Sequence, residues 1–505
     1  MSYQSLPTAT PASLGIDPRG ILRFLDGVEE RGQNPLTGER GQHLHSFVLL
    51  RHGKVAAKGS WDPYRFQDPH CLYSLSKSFT STAAGFAVQE GLLSLDRKVL
   101  DFFPDCASPD CASPDLTAYA REMTVRHLLT MSTGQEGDTA PAMLRSPGGD
   151  WPRAFFSVPV LHPGGSYFLY NSGATYMVSA IVQQCTGQKL VDYLQPRLFE
   201  PLGIPHPHWD ECPDGRNTGG WGLKLAVEDI ARFGQFLLQR GSWEGRQLLS
   251  SQWIEEATSA QMDNSANSNP SRCNETADWV QGYGYQFWRC QHGGYRGDGA
   301  GGQLCVVLPG QDLVFACTAG IQNFQILMDD IWDYLLPACS ETPLPEDLSG
   351  QRALEERIAG LQWRYDGGCT PPREDRSGRY AAEDNPLGIQ QLVCDLTPER
   401  AVLTLYAAQS APLGGAAGAV GEKRLEAAFD RWLDGRSVFH RPGTYCAAMA
   451  RWEGETVLSV QERLTDSLER VFYRLSFGED GLELEIRPTF FFQENSPVTI
   501  RLSKA

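Results

Sequence analysis

A serine and a lysine in this chain are spaced so that they could act together in nucleophilic catalysis. Ser74 and Lys77 lie in the segment YSLSKS at residues 73–78. A serine hydroxyl is a weak nucleophile until a neighbouring group accepts its proton. Side chains three residues apart share one face of a helix, so the Lys77 amine can reach the Ser74 hydroxyl. Burial would lower the pKa of that amine and allow it to act as the base.

The segment around this pair predicts the elements that must position it. Apolar residues recur at helical spacing from Ser74 to about Glu90, and Gly91 is a typical helix stop. A serine in the first turn of a helix lies at the positive end of the helix dipole, which favours an anion there. The run HSFVLLRHGKVAAKGS at 45–60 predicts a β-hairpin ahead of this helix.

The rest of the first 340 residues alternates between helical and strand patterns. Helices are predicted over 124–130, 173–187, 226–240 and 325–336, and strands in YGYQFW, QLCVVLP and LVFACTAG between about 280 and 320. Strands, several helices and again strands, without a regular βαβ alternation, indicate an α+β fold.

Four segments in the same order resemble the class C β-lactamase and penicillin-binding-protein family. They are YSLSKSFTSTAAGFAVQEGLLSLDRKVLDFFPD, TVRHLLTMSTG, HPGGSYFLYNSGATYMVSAIV and GLKLAVEDIARFGQFLLQRGSW. The resemblance covers residues 10–340. It implies a β-lactamase/transpeptidase-like domain with an antiparallel sheet and a helical region, in which Ser74 forms an acyl-enzyme.

The resemblance also assigns a second catalytic box. The family pattern Tyr-x-Asn corresponds here to Tyr170-Asn171-Ser172. It implies that Tyr170 moves protons between Ser74, Lys77 and the leaving group, because nearby positive charge favours the phenolate. Ser172 replaces the asparagine of β-lactamases and would help to hold this network. The variant resembles esterase and amide-hydrolase members and puts β-lactam turnover in doubt.

The third box of the family, Lys-Thr-Gly or His-x-Gly, has no direct match. The expected equivalent is the segment GDGAGGQ at 297–303, where Gly301, Gly302 and Gln303 would form the substrate-binding strand. A backbone N–H near Gly302 or Gln303 would join that of Ser74 as the oxyanion hole. The family's cation, which helps to bind a substrate carboxylate, is missing. An acidic penicillin or a D-alanyl peptide is therefore a less natural ligand.

Other functional classes lack their markers. The glycines at 297, 299 and 302 spell G-x-G-x-x-G, but a strand follows them where a dinucleotide site needs a helix. No G-x-S-x-G or P-loop motif occurs. The 13 cysteines have no compact zinc-binding spacing, so we expect free thiols, no metal and no cofactor. The net charge of −17 disfavours nucleic-acid and anionic-membrane partners.

Two domains are expected in 505 residues. The limits are 1–340 for the hydrolase-like domain, 341–351 for a Pro-rich, acidic linker, and 352–505 for a β-rich C-terminal domain, either a barrel or a sandwich. The first residues lack a basic start followed by an apolar run, and no long apolar stretch follows. We therefore predict a cytoplasmic protein without a membrane segment.

The sequence leaves two hypotheses open. In the first, the chain hydrolyses a small-molecule ester or amide, with esterase or small-amide hydrolase activity favoured over D-amino-acid peptidase and β-lactamase activity. In the second, the fold serves as a binding or regulatory protein with little turnover, since the third-box cation is absent. Homo-oligomerisation is left open.

Overall fold

The computed structural model describes residues 5–32, 41–107, 117–265, 277–321, 323–363, 374–407, 421–438, 444–489 and 496–505. These described residues form two compact units. The first holds residues from 1–33, 39–59 and 69–359, and the second holds 60–68 and 360–505. No helix in the described ranges is both long and apolar enough to cross a membrane.

The first unit contains a six-stranded sheet in the order β2-β1-β11-β10-β9-β8. Strands β1, β11, β10, β9 and β8 pair antiparallel in that order. The strands of this unit are β1 Leu44–Arg51, β2 Lys54–Ser60, β3 His70–Cys71, β4 His208–Trp209, β5 Leu223–Leu225, β6 Ser242–Trp243, β7 Arg246–Gln247, β8 Trp288–Arg289, β9 Tyr295–Gly299, β10 Gln303–Leu308 and β11 Leu313–Ala319.

Helices make up most of the rest of this unit. They are α1 Pro18–Glu30, α2 Ser76–Gln89, α3 Ala118–Glu122, α4 Val125–Leu129, α5 Ala140–Leu144, α6 Trp151–Ser157, α7 Ser172–Thr186, α8 Leu190–Leu194, α9 Glu200–Leu202, α10 Val227–Leu238, α11 Ser251–Thr258, α12 Phe324–Asp330 and α13 Leu348–Ala359. The predicted helices correspond to α2, α4, α7, α10 and α12. The helices α2, α7 and α10 are followed by Gly91, Gly187 and Gly241, all at positive φ.

The sheet is covered by helices on both faces, which is why β1, β10 and β11 are buried throughout. On one face, Phe24 of α1 packs edge-on against Phe315 of β11, with 5.4 Å between ring centroids. On the other face α10 lies so close that a Cβ on Gly234 would be 2.5 Å from Val314 Cγ1. The α+β fold predicted from the sequence is confirmed.

One predicted strand is wrong. The segment YGYQFW contributes only Trp288 to β8, and Gln286 has a φ of 67°, which strand geometry excludes. The side-chain amide of Gln286 donates to the carbonyl oxygens of Leu128 and Leu129 at 3.3 and 2.8 Å. The aromatic side chains of the segment are buried by this irregular loop, and their alternation imitates a strand pattern.

The second unit is a β-barrel of ten strands in the order β15-β14-β13-β12-β21-β20-β19-β18-β17-β16. Pairing of Ala428 in β15 with Met449 in β17 closes it. The strands are β12 Gly378–Ala382, β13 Ile389–Leu396, β14 Arg400–Ala407, β15 Gly421–Ala428, β16 Leu433–Arg436, β17 Tyr445–Glu453, β18 Val457–Leu464, β19 Arg470–Phe477, β20 Gly481–Pro488 and β21 Val498–Lys504. The expected β-rich C-terminal domain is thus a barrel, with β19 and β20 joined by the predicted turn.

The segment predicted as a linker, 341–351, runs into helix α13, which the contacts group with the first unit. A strand pattern was expected from residue 352 onwards, whereas Leu348–Ala359 is helical. The domain limits drawn from the sequence remain predictions.

We predict that Gly234→Ala destabilises the first unit by about 1–3 kcal/mol, because its Cβ would overlap Val314 Cγ1 and approach Cys305 Sγ at 2.9 Å. This cost outweighs the helix propensity of about 1 kcal/mol that alanine gains over glycine. Urea unfolding followed by circular dichroism measures the effect. Gly310→Ala is the matched control, since no atom lies within 4 Å of the Cβ that alanine would add there. Equal midpoints for both variants would contradict the tight helix–sheet contact.

Candidate active site

Ser74 lies in a sharp turn that leads directly into α2. Tyr73 has a φ of 47°, in the left-handed region that a bulky residue rarely adopts. One 3₁₀ turn, Tyr73–Leu75, follows, and α2 begins at Ser76. Ser74 is partly exposed. The turn therefore presents the hydroxyl to solvent while the helix behind it is buried.

The Lys77 amine meets the Ser74 hydroxyl as the spacing predicts. Lys77 Nζ lies 2.8 Å from Ser74 Oγ and donates to the carbonyl oxygen of Gly220 at 2.7 Å. Lys77 is only 2% exposed. Burial lowers the pKa of its amine to about 7, although the carboxylates of Asp138 and Asp298 raise that pKa in part. Near neutral pH a large fraction of the amine is uncharged and able to accept a proton.

The loop that supplies the Gly220 carbonyl is fixed to α2. Thr80 Oγ1 donates to the carbonyl oxygen of Gly219 at 2.8 Å, one helical turn beyond Lys77. A Cβ on Gly219 would be 2.3 Å from Cβ of Ser179 in α7, so only glycine fits between the two helices. The sequence analysis missed this loop. Its only local signal is the glycine-rich run TGGWG at 218–222.

Tyr170 lies beside the serine and the lysine. Lys77 Nζ is 5.0 Å from the centroid of the Tyr170 ring. The ring is stacked on Trp288 with 5.4 Å between centroids and 21° between planes. A hydrogen bond with Ser74 is among the interactions that affect the pKa of the phenol. The three residues singled out from the sequence are thus brought together.

The pKa of Tyr170 shifts in the direction opposite to the one expected from a neighbouring cation. Burial raises the pKa of the phenol well above its usual value, and Asp298 raises it further. The hydrogen bond with Ser74 and the charge of Arg296 oppose this shift, and Asp138 adds to it. Tyr170 is therefore a neutral phenol that keeps its proton.

Ser172 begins helix α7 next to a carboxylate that the sequence analysis missed. The backbone N–H of Ser172 donates to Asp138 Oδ1 at 2.9 Å. Asn171, the middle residue of the box, caps α7 by accepting from the N–H of Ala174 at 3.2 Å. Within the described residues the hydroxyl of Ser172 makes no side-chain hydrogen bond. It is available to a ligand, and its predicted role in the proton network remains a prediction.

Two glycines let strand β9 lie directly against the nucleophile segment. A Cβ on Gly299 would be 2.1 Å from the carbonyl oxygen of Leu72, and one on Gly297 would be 2.5 Å from Ser78 Oγ. Both distances are far below van der Waals contact, so a side chain at either position would force its neighbours to move, and at Gly299 that neighbour is backbone. The expected role of glycine at the third box is found two to four residues earlier than Gly301.

The turn between β9 and β10 uses the polar groups of Gly301 and Gly302. The N–H of Gly302 donates to the carbonyl oxygen of Gly299 at 3.1 Å, and the carbonyl oxygen of Gly301 accepts from Ile321 at 2.9 Å. Both glycines have positive φ, 74° and 89°. The Gly302 amide is already bonded and cannot serve as the oxyanion donor expected from the sequence.

Gln303 braces this turn from within the protein. Its side chain donates to the carbonyl oxygens of Ala300 and Ala319 at 2.9 and 2.7 Å, and accepts from the N–H of Ala319 at 3.1 Å. In the part of the chain that the structure describes, the N–H groups of Ser74 and Ala300 donate to no backbone carbonyl. These two amides are free to bind an oxyanion.

Known proteins share sequence with this chain. A lovastatin esterase from Penicillium rubens is 31% identical over 172 residues, covering 30% of this chain and 42% of that protein. A 6-aminohexanoate-dimer hydrolase from Paenarthrobacter ureafaciens is 24% identical, covering 49% of this chain and 63% of that protein. The chain thus matches less than two thirds of the length of either relative.

A solved structure from Bacillus anthracis that carries the name of a 6-aminohexanoate-dimer hydrolase superposes with a TM-score of 0.51. It is 19% identical and covers 68% of this chain and 89% of that one, so the likeness concerns the fold alone. The sequence model of the family described as Beta-lactamase matches residues 43–323, more than half of the chain. The match includes every residue of the site described above, and the chain belongs to the β-lactamase family.

Proposed function

We propose that this protein is a serine hydrolase that cleaves an ester or a small amide through an acyl-enzyme on Ser74. The observation that carries the proposal is the contact of 2.8 Å between Ser74 Oγ and a buried lysine amine whose pKa is about 7. A neutral amine at that distance can take the hydroxyl proton as the oxygen attacks a carbonyl carbon.

The proposed first step places negative charge on the substrate carbonyl oxygen. The backbone N–H groups of Ser74 and Ala300 are the donors for this oxyanion, because neither is used by a backbone carbonyl in the described residues. This assignment moves the donor from Gly302 or Gln303, as expected from the sequence, to Ala300 at the start of the same turn. Gln303 contributes indirectly by holding the carbonyl of Ala300.

Tyr170 then passes a proton to the leaving group. The Lys77 ammonium returns a proton to the phenol as the phenol protonates the departing oxygen or nitrogen, so that one proton travels from Ser74 to the leaving group. The raised pKa of Tyr170 suits this role, because the resting phenol keeps its proton. Water completes the cycle by attacking the ester of Ser74. The neutral Lys77 amine takes a proton from the water and returns it to Ser74 Oγ as the acid leaves.

Charge around the pair favours a neutral substrate over an acidic one. The carboxylates of Asp138 and Asp298 both act on Lys77, and either would repel a carboxylate on the substrate. The nearby cation, Arg296, is fully buried and paired with Asp298 at 2.8 Å. We therefore favour esterase or small-amide hydrolase activity over D-amino-acid peptidase and β-lactamase activity. The relatives named as an esterase and as a dimer hydrolase of an amino acid agree with this order.

We predict that Ser74→Ala abolishes covalent labelling by a fluorophosphonate probe, because the probe needs the activated hydroxyl. Gel fluorescence or intact-mass analysis measures the label. Ser81→Ala is the matched control on the same helix, since its buried Oγ has no hydrogen-bond partner in the described structure. The control should label like the parent protein. Persistent labelling of Ser74→Ala would refute the nucleophile.

We predict that kcat/KM rises with pH through about 7 and then levels off. The protonated form of Lys77 dominates below that pKa and cannot accept the Ser74 proton, whereas the neutral form dominates above it. Initial rates over pH 5–9 measure the profile. Asp138→Asn should move the midpoint to lower pH, because the lost carboxylate raises the pKa of Lys77. A midpoint that moves upward or stays in place would contradict Lys77 as the titrating base.

We predict that short-chain p-nitrophenyl esters are hydrolysed, with slower turnover of D-aminoacyl amides and the slowest turnover of nitrocefin. Lys77→Ala should remove about 10²-fold or more of the ester turnover. Steady-state rates on the three substrates give the order. Binding of these compounds without turnover that depends on Lys77 would favour the alternative, a binding protein that has kept the fold.

A further inference from the structure

The ring of Tyr170 is held by aromatic side chains on two sides. Trp288 is stacked on it at 5.4 Å, and Tyr283 meets it edge-on at 6.3 Å and 88°. Trp288 and Tyr283 also contact each other at 4.8 Å and 83°. Trp288 is 8% exposed and Tyr283 is 1% exposed. Aromatic packing of this kind restricts the rotation of the Tyr170 ring beside Ser74.

A buried cation lies against the same tryptophan. Trp288 in β8 and Arg296 in β9 are directly opposite in the antiparallel pair. The guanidinium carbon of Arg296 is 5.6 Å from the Trp288 ring, and it is 4.9 Å from the rings of both Trp279 and Phe324. Arg296 therefore supports the tryptophan through cation–π contact as well as through the strand pairing.

Arg296 is held by a carboxylate and by a backbone carbonyl. Its Nε donates to Asp298 Oδ2 at 2.8 Å, and its Nη1 donates to the carbonyl oxygen of Asp278 at 2.8 Å. Its buried Nη2 has no hydrogen-bond partner among the described residues. A buried charge acts over longer distances than an exposed one, because little water screens it. Burial and the carboxylate of Asp298 raise the pKa of Tyr170, and the positive charge of Arg296 opposes them with a smaller effect.

We propose that Trp288 and Arg296 are positioning residues for proton donation by Tyr170. Trp288 fixes the direction of the phenol, and Arg296 holds Trp288 against the Tyr170 ring through cation–π contact and strand pairing. The proton lost by Tyr170 forms the O–H or N–H bond of the leaving group and is replaced from the Lys77 ammonium. The proposal rests on the function proposed above, in which Tyr170 protonates the leaving group.

Under this proposal, the effect of each substitution on the hydrolysis rate depends on the leaving group of the ester. A p-nitrophenolate leaves as a stable anion and needs no proton, whereas an alkoxide must be protonated as it departs. A variant that merely lowers the amount of folded protein reduces the rates on all esters by one common factor. A variant that impairs proton donation reduces the rates on alkyl esters far more than the rates on nitrophenyl esters.

The experiment compares acetate esters of p-nitrophenol, phenol and ethanol, with kcat/KM as the readout because it reports acylation. In the full-length protein, Trp288→Leu and Arg296→Met should lower kcat/KM on the ethyl ester by about tenfold to a hundredfold. The p-nitrophenyl ester should lose no more than about threefold. Trp288→Phe, which keeps a ring, and Arg296→Lys, which keeps the charge, should recover most of the loss.

Trp253→Leu is the matched control. Trp253 is 7% exposed, comparable to Trp288, and contacts Tyr285 at 5.5 Å instead of Tyr170. The Trp253→Leu substitution should change kcat/KM on all three esters by one common factor. The same uniform change in the Trp288 and Arg296 variants would overturn the proposal. If the leucine and methionine variants fail to fold, as circular dichroism would show, Trp288→Phe and Arg296→Lys carry the test. Their remaining loss of kcat/KM should be larger on the ethyl ester than on the p-nitrophenyl ester, and an equal loss on both would overturn the proposal.

Tyr170→Phe separates this inference from the function on which it rests. If Tyr170→Phe slows the ethyl ester selectively while the Trp288 and Arg296 variants slow all esters equally, only the positioning role fails. If Tyr170→Phe itself shows no selectivity, the proton-donor role of Tyr170 fails and the positioning role fails with it. Selective loss in all three sets of variants supports both.

Discussion

The site depends on the burial of one amine. Lys77 is almost fully enclosed, and the two groups in hydrogen-bond contact with it, a hydroxyl and a backbone carbonyl, carry no charge. Burial destabilises an ammonium group that has no anion in direct contact. The neutral form of Lys77 is therefore favoured, and the pKa of the amine falls to about 7. The carboxylates of Asp138 and Asp298 keep the shift moderate. The amine is thus balanced between two protonation states, which a proton carrier requires.

Excluding water from the Lys77 amine requires close packing on all sides of α2. The helix is buried on nearly all sides, although Ser76, Ser78 and Thr80 are polar. Their hydroxyl groups are satisfied by backbone groups of neighbouring loops, for example Ser78 Oγ by the carbonyl of Gln286 at 3.0 Å. These bonds also fix the loops that close the site. Glycines at the contact points, such as Gly219 and Gly299, remove the side chains that would hold the loops away.

Local patterns predicted the helices and the pairing of Ser74 with Lys77, because both follow from helical spacing within one turn. The same local patterns predicted the strands β10 and β11 and the hairpin of β19 and β20. Asp138 and Gly220 could not be found in this way, since each reaches Lys77 across more than 60 residues of chain through the tertiary fold. The false strand at 283–288 has a related cause. Every residue from Tyr283 to Trp288 is buried, and hydrogen bonds from the Gln286 side chain to the backbone of Leu128 and Leu129 hold the segment outside strand geometry.

A buried cation, Arg296, lies on the strand that carries the glycines Gly297 and Gly299, but on its other face. Successive residues of a strand point to opposite faces, so Arg296 and Asp298 share one face of β9, and Gly297 and Gly299 share the other. The glycine face meets the nucleophile segment, and only hydrogen atoms can be accommodated there. A shift of the cation by one residue would place it against α2, where a Cβ already collides with Ser78. Arg296 is therefore fully buried on the face that points away from the nucleophile segment, where it contacts Trp288 and pairs with Asp298.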